Sequence, residues 1–507
     1  MNNKSSPAGD IILLIETAQR WPIGATALLA CFFVFIVQTA LKSDHLANIP
    51  IVGAEYGGQE KRRRKFMSGE AMNLYLDGYK KSNILTASFI KFKEHAFRIT
   101  TSTKSTNIVV APKFMNELKR LPDDVLSANK AIEEVTRINP IVYEEVVNAI
   151  RIELPQSGEW TEVNIAYKLM RIVAMVSGRI FIGPELCRTE SYIDVAINYT
   201  VDLMTAIQAI ASIQPYIRPF LATSRPEVKR VKRRVAEAEM FLRPVVEARR
   251  KAAEGSNYQK PDDMLQWMME SQKKFGQKED RELARYELAI SAAAIHTTTV
   301  TITNALYTLA VMPEFVTILR KDVQQALAET NGVFTNSAMQ SMKKVDSFLK
   351  ECMRCYAMSP ASFQRKVLKS FALSNGQVIP AGSFIEVPSI GIYTDEEFFP
   401  DADKFDPLRF YTMRQEKREQ KTGSKQAEVV SNAQFVSVGQ SSLTFGYGRH
   451  ACPGRFFAVN EIKMILATLL VNYDLMNAAG SRERYPNVVS GPMSFPDPNK
   501  TILLRKV

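Results

Sequence analysis

Cys452 stands in the run Phe445-Gly446-Tyr447-Gly448-Arg449-His450-Ala451-Cys452-Pro453-Gly454, between small, turn-forming residues. A helical pattern begins directly after it. Phe456, Phe457, Val459, Ile462, Ile465 and Leu466 recur at three- and four-residue steps, so an amphipathic helix is expected from Arg455 to about Leu470. Gly446, Gly448 and Gly454 permit left-handed dihedrals or close approach of the backbone to a flat partner. Pro453 removes a backbone donor where a helix start needs none. Cys452 is therefore expected at a helix N-terminus, where backbone N–H groups and the macrodipole favour a thiolate. A thiolate held this way suits a metal. The plainer alternative is a buried cysteine in a glycine-rich turn.

Two further constellations could carry chemistry. Asp280 can cap a long helix from Arg281 to about Val311, stopped by Pro313. Its middle, Ala289 to Thr299, is small or apolar nearly all round, as in a central buried helix whose alanines let something large approach. The hydroxyls of Thr297, Thr298 and Thr299 interrupt it, and in isolation each is expected to bond back to a carbonyl one turn earlier. A second helix is expected over about Ser337 to Met358, ending before Ser359-Pro360. On it Glu351 and Arg354 share a face at i, i+3 and can pair.

Taken together these runs resemble the cytochrome P450 family. Phe445, Gly448, His450, Cys452 and Gly454 fill the haem-loop pattern Phe-x-x-Gly-x-(Arg or His)-x-Cys-x-Gly. Ala293-Ala294-Ile295-His296-Thr297-Thr298 is similar to the family's oxygen-binding segment, with Ala294 in place of the usual glycine and His296 in place of the usual acid. Phe405-Asp406-Pro407-Leu408-Arg409-Phe410 resembles its Pro-x-Arg-Phe element. The resemblance implies a mainly α fold with small β-sheets (α+β), the cytochrome P450 fold. It also implies haem b with Cys452 as the axial thiolate and metal ligand, and Phe445 in the cofactor loop. Arg365 and His450 would meet the haem propionates. Thr297 would hold the hydrogen-bond relay that delivers protons during oxygen activation, and His296, an imidazole able to shuttle protons, would take part. Glu351, Arg354 and Arg409 would form a structural triad presenting Cys452. A thiolate ligand favours O–O cleavage, so the implied activity is insertion of one oxygen atom from O2. No flavin or nicotinamide fingerprint occurs in the sequence, so electrons are expected from an NADPH-dependent reductase. The loop and the His296-Thr297-Thr298 variant are similar to fungal enzymes of terpenoid metabolism, diterpene and indole-diterpene pathways included. A polyketide or sterol substrate, a desaturation or demethylation, and a non-catalytic membrane-anchored haem protein are the alternatives.

The remaining elements must position these residues. The chain has 507 residues, 46% of them hydrophobic, enough for a large core. Its five cysteines are scattered and odd in number, which is no disulfide framework. Cys352-x-x-Cys355 has no second ligand pair at zinc spacing. The net charge of +12 is dispersed without a nucleic-acid motif, so a membrane surface or an acidic protein partner is expected rather than nucleic acid. Ile23 to Leu41 is uncharged for nineteen residues, the length of a transmembrane anchor, with Trp21 at its edge. Lys42 and the run Lys61 to Lys65 place the large C-terminal part in the cytosol. The expected organisation is a short lumenal segment (1–22), an anchor in the endoplasmic-reticulum membrane (23–41), a linker (42–70) and a catalytic domain (71–507). Within that domain, helices are expected over Pro140 to Ile150, Tyr167 to Arg179, Tyr192 to Ile213 and Glu227 to Glu254, and strands over Phe371 to Val378 and Gly382 to Val387.

Overall fold

The computed structural model describes residues 51, 54–59, 61–62, 97–100, 106–109, 138–214, 216–255, 258–275, 280–416, 429–430, 432–490 and 493–507. The expected anchor Ile23–Leu41 lies outside these. Among the described residues no helix is long and apolar enough to cross a membrane. Two compact units divide the chain, Met1–Leu126 and Ser127–Val507. The described strands of the first, β1 (Phe97–Thr100) and β2 (Thr106–Val109), form an antiparallel hairpin with Phe97 opposite Val109.

The second unit is built of helices. α1 (Asn139–Glu153) and β3 (Thr161–Val163) lead into α2 (Ile165–Phe181), whose start is capped by Asn164 Oδ1 accepting the Tyr167 N–H at 3.0 Å. α3 (Glu190–Ala211), the short α4 (Arg218–Leu221), α5 (Pro226–Ala252) and α6 (Met264–Phe275) follow. α5 opens on Pro226 in its first turn. It buries Val235, Ala238, Leu242, Val246 and Arg249, the spacing of one helical face.

The axis of this unit is α7 (Asp280–Leu309), which packs against α2, α3, α5, α10 and α13. From Ser291 to Ala310 only Ala293 and Thr297 are exposed. Threonine is a poor helix former, yet Thr297, Thr301, Thr303 and Thr308 each return their hydroxyl to a carbonyl four residues earlier, at 2.8–2.9 Å. Thr298 and Thr299 are buried without such a bond.

α8 (Pro313–Ala328), α9 (Asn336–Ser341) and α10 (Lys343–Cys355) come next. The single helix expected over Ser337–Met358 is thus two, broken at Met342, whose ψ of 66° is not helical. After β4 (Ser362–Lys366) come β5 (Phe371–Ala372), β6 (Val378–Ile379) and β7 (Phe384–Val387). The strand expected over Phe371–Val378 is in fact a small hairpin, β5 with β6, reversing at Gly376 with φ +86°. β7 pairs with β4 instead. Short α11 (Ser389–Tyr393) and α12 (Arg409–Glu416) precede α13 (Arg455–Asn472), the helix expected after Cys452. β8 (Tyr473–Asn477), β9 (Asn487–Ser490), β10 (Met493–Pro496) and β11 (Ile502–Lys506) close the described chain. β11 lies between β3 and β8, and β9 pairs with β10, all antiparallel.

One continuous core joins α1, α2, α3, α5, α7, α8, α10 and α13 through residues such as Leu169, Ile295, Phe348 and Leu466. Each large apolar side chain buried there contributes about 1.5–3 kcal/mol, so α7 and α13 are held firmly in the core. Asn139 is the first helical residue of α1, and its Oδ1 accepts from Asn460 Nδ2 of α13 at 3.2 Å.

Candidate functional site

The Cys452 loop is shaped by its own backbone. Gly446 N–H donates to the Leu443 carbonyl (2.8 Å), Ala451 N–H to Gly448 (3.0 Å) and Cys452 N–H to Phe445 (2.7 Å). These turns require φ of +75° at Gly446 and +67° at Gly448, and a Cβ on Gly446 would press on the His450 carbonyl at 3.4 Å. Gly454 is the N-cap of α13, so Cys452 sits two residues before the cap; Arg455 Nη1 donates back to the Cys452 carbonyl at 3.0 Å. Cys452 is a free cysteine and partly exposed. Phe445 is tied inward, edge-on to Phe435 with ring centroids 6.0 Å apart.

Behind the loop lies the triad. Glu351 is fully buried. Its Oε1 accepts from Arg354 Nη2 (2.8 Å), Arg409 Nε (3.0 Å) and the Asp406 N–H (3.0 Å), and its Oε2 accepts from Arg354 Nε (2.9 Å). The guanidiniums spend their other N–H groups on carbonyls. Arg354 reaches Tyr393 (2.6 Å), Ala402 (2.7 Å) and Lys404 (3.1 Å); Arg409 reaches Pro400, Asp401 (3.0 Å) and Lys404 (2.8 Å). One carboxylate and two planar cations thereby stitch α10 to segment 393–409.

Residues not singled out from the sequence complete the support. Tyr393 hydroxyl accepts the Leu443 N–H at 2.9 Å and lies 3.0 Å from Thr444 Oγ1. Ser362 donates to the Leu443 carbonyl at 3.1 Å. Lys350 Nζ donates to the Gln434 carbonyl (2.8 Å) and to Ser442 Oγ (2.9 Å), and Asp346 Oδ2 accepts the Phe435 N–H (2.9 Å). Phe363 on β4 has a φ of +57°, and its ring stands 6.5 Å from that of Tyr447. The only local sequence signal among these is that Lys350 and Asp346 lie on the helix of Glu351.

The other expected site residues are distributed as follows. Thr297 Oγ1 donates to the Ala293 carbonyl at 2.8 Å and lies exposed on α7. His296, mostly buried, has Nε2 3.0 Å from the Ile197 carbonyl of α3, and burial holds its pKa below the usual imidazole range. Arg365 on β4 lies over the Phe363 ring at 4.2 Å and donates to the Gln364 carbonyl at 2.8 Å. His450 is exposed on the loop. Cys352 is buried and Cys355 Sγ lies 3.8 Å from Glu351 Oε1; among the described residues no group of side chains is arranged to hold a metal by three or more ligands.

A large planar cofactor fits these residues. Ala293 and Thr297, one turn apart, are the two exposed residues of α7 between Ser291 and Leu309. Phe456 and Tyr447 are exposed beside the loop, at 39% and 38%. The loop itself offers one partly exposed sulfur and backbone free of side chains at Gly448 and Gly454. A soft thiolate with open apolar surface around it is a donor set for iron in a macrocycle.

Comparison with known proteins agrees. The cytochrome P450 family model matches residues 83–500. Cytochrome P450 monooxygenase ATR3 of Stachybotrys chlorohalonatus is 38% identical, covering 80% of this chain and 89% of that protein. Cytochrome P450 monooxygenase braC of Annulohypoxylon truncatum is 30% identical over 94% of this chain and 96% of its own. Among solved structures, a retinoic acid-bound cyanobacterial CYP120A1 shares the fold with a TM-score of 0.52, at 19% identity over 76% of this chain and 80% of that one. This chain belongs to the cytochrome P450 family. It is a P450 monooxygenase, using haem with a cysteine thiolate as axial ligand and electrons supplied by a reductase.

Proposed function

We propose that this enzyme inserts one oxygen atom into a hydrophobic fungal secondary metabolite, a diterpene or indole-diterpene. The observation that carries the assignment of the site is the Cys452 loop, whose backbone is fixed by three internal hydrogen bonds while its sulfur stays partly exposed. Cys452 is the ligand in this reading, and Arg365 and His450 are assigned to the propionates. Haem bound there supplies the oxygen-activating chemistry. The chain's own part is to hold, orient and protonate. The Thr297 hydroxyl, exposed beside Ala293, keeps its lone pairs available to accept a hydrogen bond while donating to the Ala293 carbonyl, and rotation of the exposed hydroxyl off that carbonyl frees its own proton to be passed on. The triad keeps the loop at a fixed height. Val201, Met204 and Ile207 of α3 present an exposed apolar face, 51–54% accessible, that suits an oily molecule. The terpenoid class rests on the similarity of the Phe445–Ala458 run and of His296-Thr297-Thr298 to fungal terpenoid enzymes. Ile23–Leu41 anchors the chain in the endoplasmic-reticulum membrane, with the catalytic domain cytosolic beside an NADPH-dependent reductase.

The test is the carbon monoxide difference spectrum of the reduced protein in microsomes. A strongly red-shifted Soret band, lost in Cys452→Ala, is expected; a band that survives the substitution overturns the ligand assignment. Titration with diterpenes, polyketides and sterols then reads the substrate class from the spin-state shift. A shift with polyketides or sterols alone overturns the terpenoid reading.

A further inference from the structure

The residue before Thr297 makes a long-range bond that its position in the sequence does not foretell. His296 Nε2 lies 3.0 Å from the main-chain carbonyl of Ile197, in the middle of α3. A carbonyl only accepts, so Nε2 carries the hydrogen and donates it. The oxygen has two lone pairs, so it can take this bond without leaving the helical ladder of α3. This fixes what the imidazole can do. Moving a proton through the ring needs a partner at Nε2 that can give or take one, and an amide carbonyl does neither. Burial adds to this by holding the ring neutral.

The location matters as much as the chemistry. α3 touches α7 through side chains at Tyr192, whose hydroxyl is 3.4 Å from Ser291 Oγ, and again one and a half turns later at Ile197. Beyond that point its ties run to α5: Asp202 accepts from Arg230 Nε (3.2 Å) and Arg234 Nε (3.1 Å). It is also beyond that point that the apolar face opens, with Val201, Met204 and Ile207 exposed where Val195 and Ala196 were buried. The bond therefore stands at the boundary between the buried and the open half of α3, joined to the residue next to Thr297.

We infer that His296 is a positioning residue, a hydrogen-bond clamp that sets the height of the exposed half of α3 beside Thr297, and not a member of the proton path. The inference rests on the haem-thiolate reading for the meaning of that position, but its readout does not.

Hydrogen–deuterium exchange on the purified holoenzyme tests it. In His296→Leu, amides of α3 from about 196 to 208 are expected to exchange about two- to tenfold faster, as for loss of one hydrogen bond of ordinary net strength, with α2 and α5 unchanged. His296→Gln places an amide N–H near the position of Nε2 and should restore the wild-type rates. Unchanged exchange in His296→Leu overturns the clamp, as does equal acceleration in both variants. Peroxide release per NADPH, measured with the reductase, should stay at the wild-type level in His296→Gln; a rise like that of Thr297→Ala would put the imidazole back in the proton path. Failure of the haem-thiolate reading would appear elsewhere, as a missing carbon monoxide band in the unmutated protein.

Discussion

Replacing Glu351 by glutamine changes one atom and removes one charge, and the geometry says what that does. Oε1 accepts three hydrogen bonds from N–H donors of Arg354, Arg409 and Asp406 and a longer one from Cys355 Sγ, and Oε2 accepts one from Arg354. Glutamine has one acceptor oxygen, so in either orientation its NH2 faces an N–H group. Two guanidiniums, 4% and 6% exposed, then lose their only carboxylate in this triad. Breaking a buried ion pair by removing one member costs about 3–5 kcal/mol, or roughly a hundred- to several-thousand-fold in the unfolding equilibrium. A domain has about 5–15 kcal/mol in all. Because the guanidiniums also hold the carbonyls of Tyr393, Ala402 and Lys404, the loss falls on the segment that carries Tyr393 to the Cys452 loop. Urea unfolding followed by circular dichroism, with the carbon monoxide band read in parallel, is the assay. Glu351→Gln should lower stability by that amount and lose the thiolate band at denaturant concentrations that leave most helix intact. Lys404→Ala, which removes a fully exposed pair with Asp401, should shift neither signal. A Glu351→Gln protein within about 1 kcal/mol of wild type, with its band intact, would refute the claim that this carboxylate holds the loop.

Two other outcomes follow from single groups. Thr297→Ala removes an exposed hydroxyl that is bonded only within its own helix, so haem content and melting temperature should hold while product per NADPH falls about tenfold or more and peroxide rises; unchanged coupling would remove Thr297 from the proton path. Glu461, buried on α13 with one oxygen accepting from Ser177 Oγ at 2.7 Å and the other unpaired, has its pKa pushed up from 4.5 to about 8 by burial. The folded state then keeps a proton that the unfolded chain releases above pH 4.5. The contribution of Glu461 to stability is therefore fully present below that pH and declines as pH rises to about 8, by up to about 5 kcal/mol in the limit. Glu461→Gln should flatten this decline in urea titrations between pH 5 and 8, and an unaltered slope would show that Glu461 is not its source.

What could be read from the sequence was whatever is local. Phe445 to Gly454 carries its own turns, because the bonds that shape it join residues three to seven apart and need only glycine at two positive-φ positions. Glu351 and Arg354 are one helical turn apart, so their pairing follows from period alone. The expectation of an anchor over Ile23–Leu41 rests on an equally local pattern, but those residues lie outside the described ones. Long-range support was not legible. Nothing near Tyr393 announces that its hydroxyl will meet the Leu443 N–H, fifty residues on. Nor does Ser362 announce the Leu443 carbonyl. Met342 shows the same limit within a helix: an apolar residue with good propensity adopts ψ 66° where α9 and α10 part.

His296 is the instructive case because its neighbour in sequence and its neighbour in space point to different work. Beside Thr297, in the place of a usual acid, an imidazole reads as a proton carrier. In the fold its Nε2 is committed to the Ile197 carbonyl, ninety-nine residues earlier, and that partner cannot exchange a proton. Residue type gives a menu of chemistry, and the atom at the far end of the hydrogen bond selects from it. Here the selection favours holding α3 in place, and on the proposed reading the proton path runs through the exposed hydroxyl of Thr297 without the imidazole. A carboxylate at 296 could not make this bond while ionised, since a carboxylate has no hydrogen to give a carbonyl. His296→Glu should therefore release α3, and faster exchange of its amides is the expected sign of it.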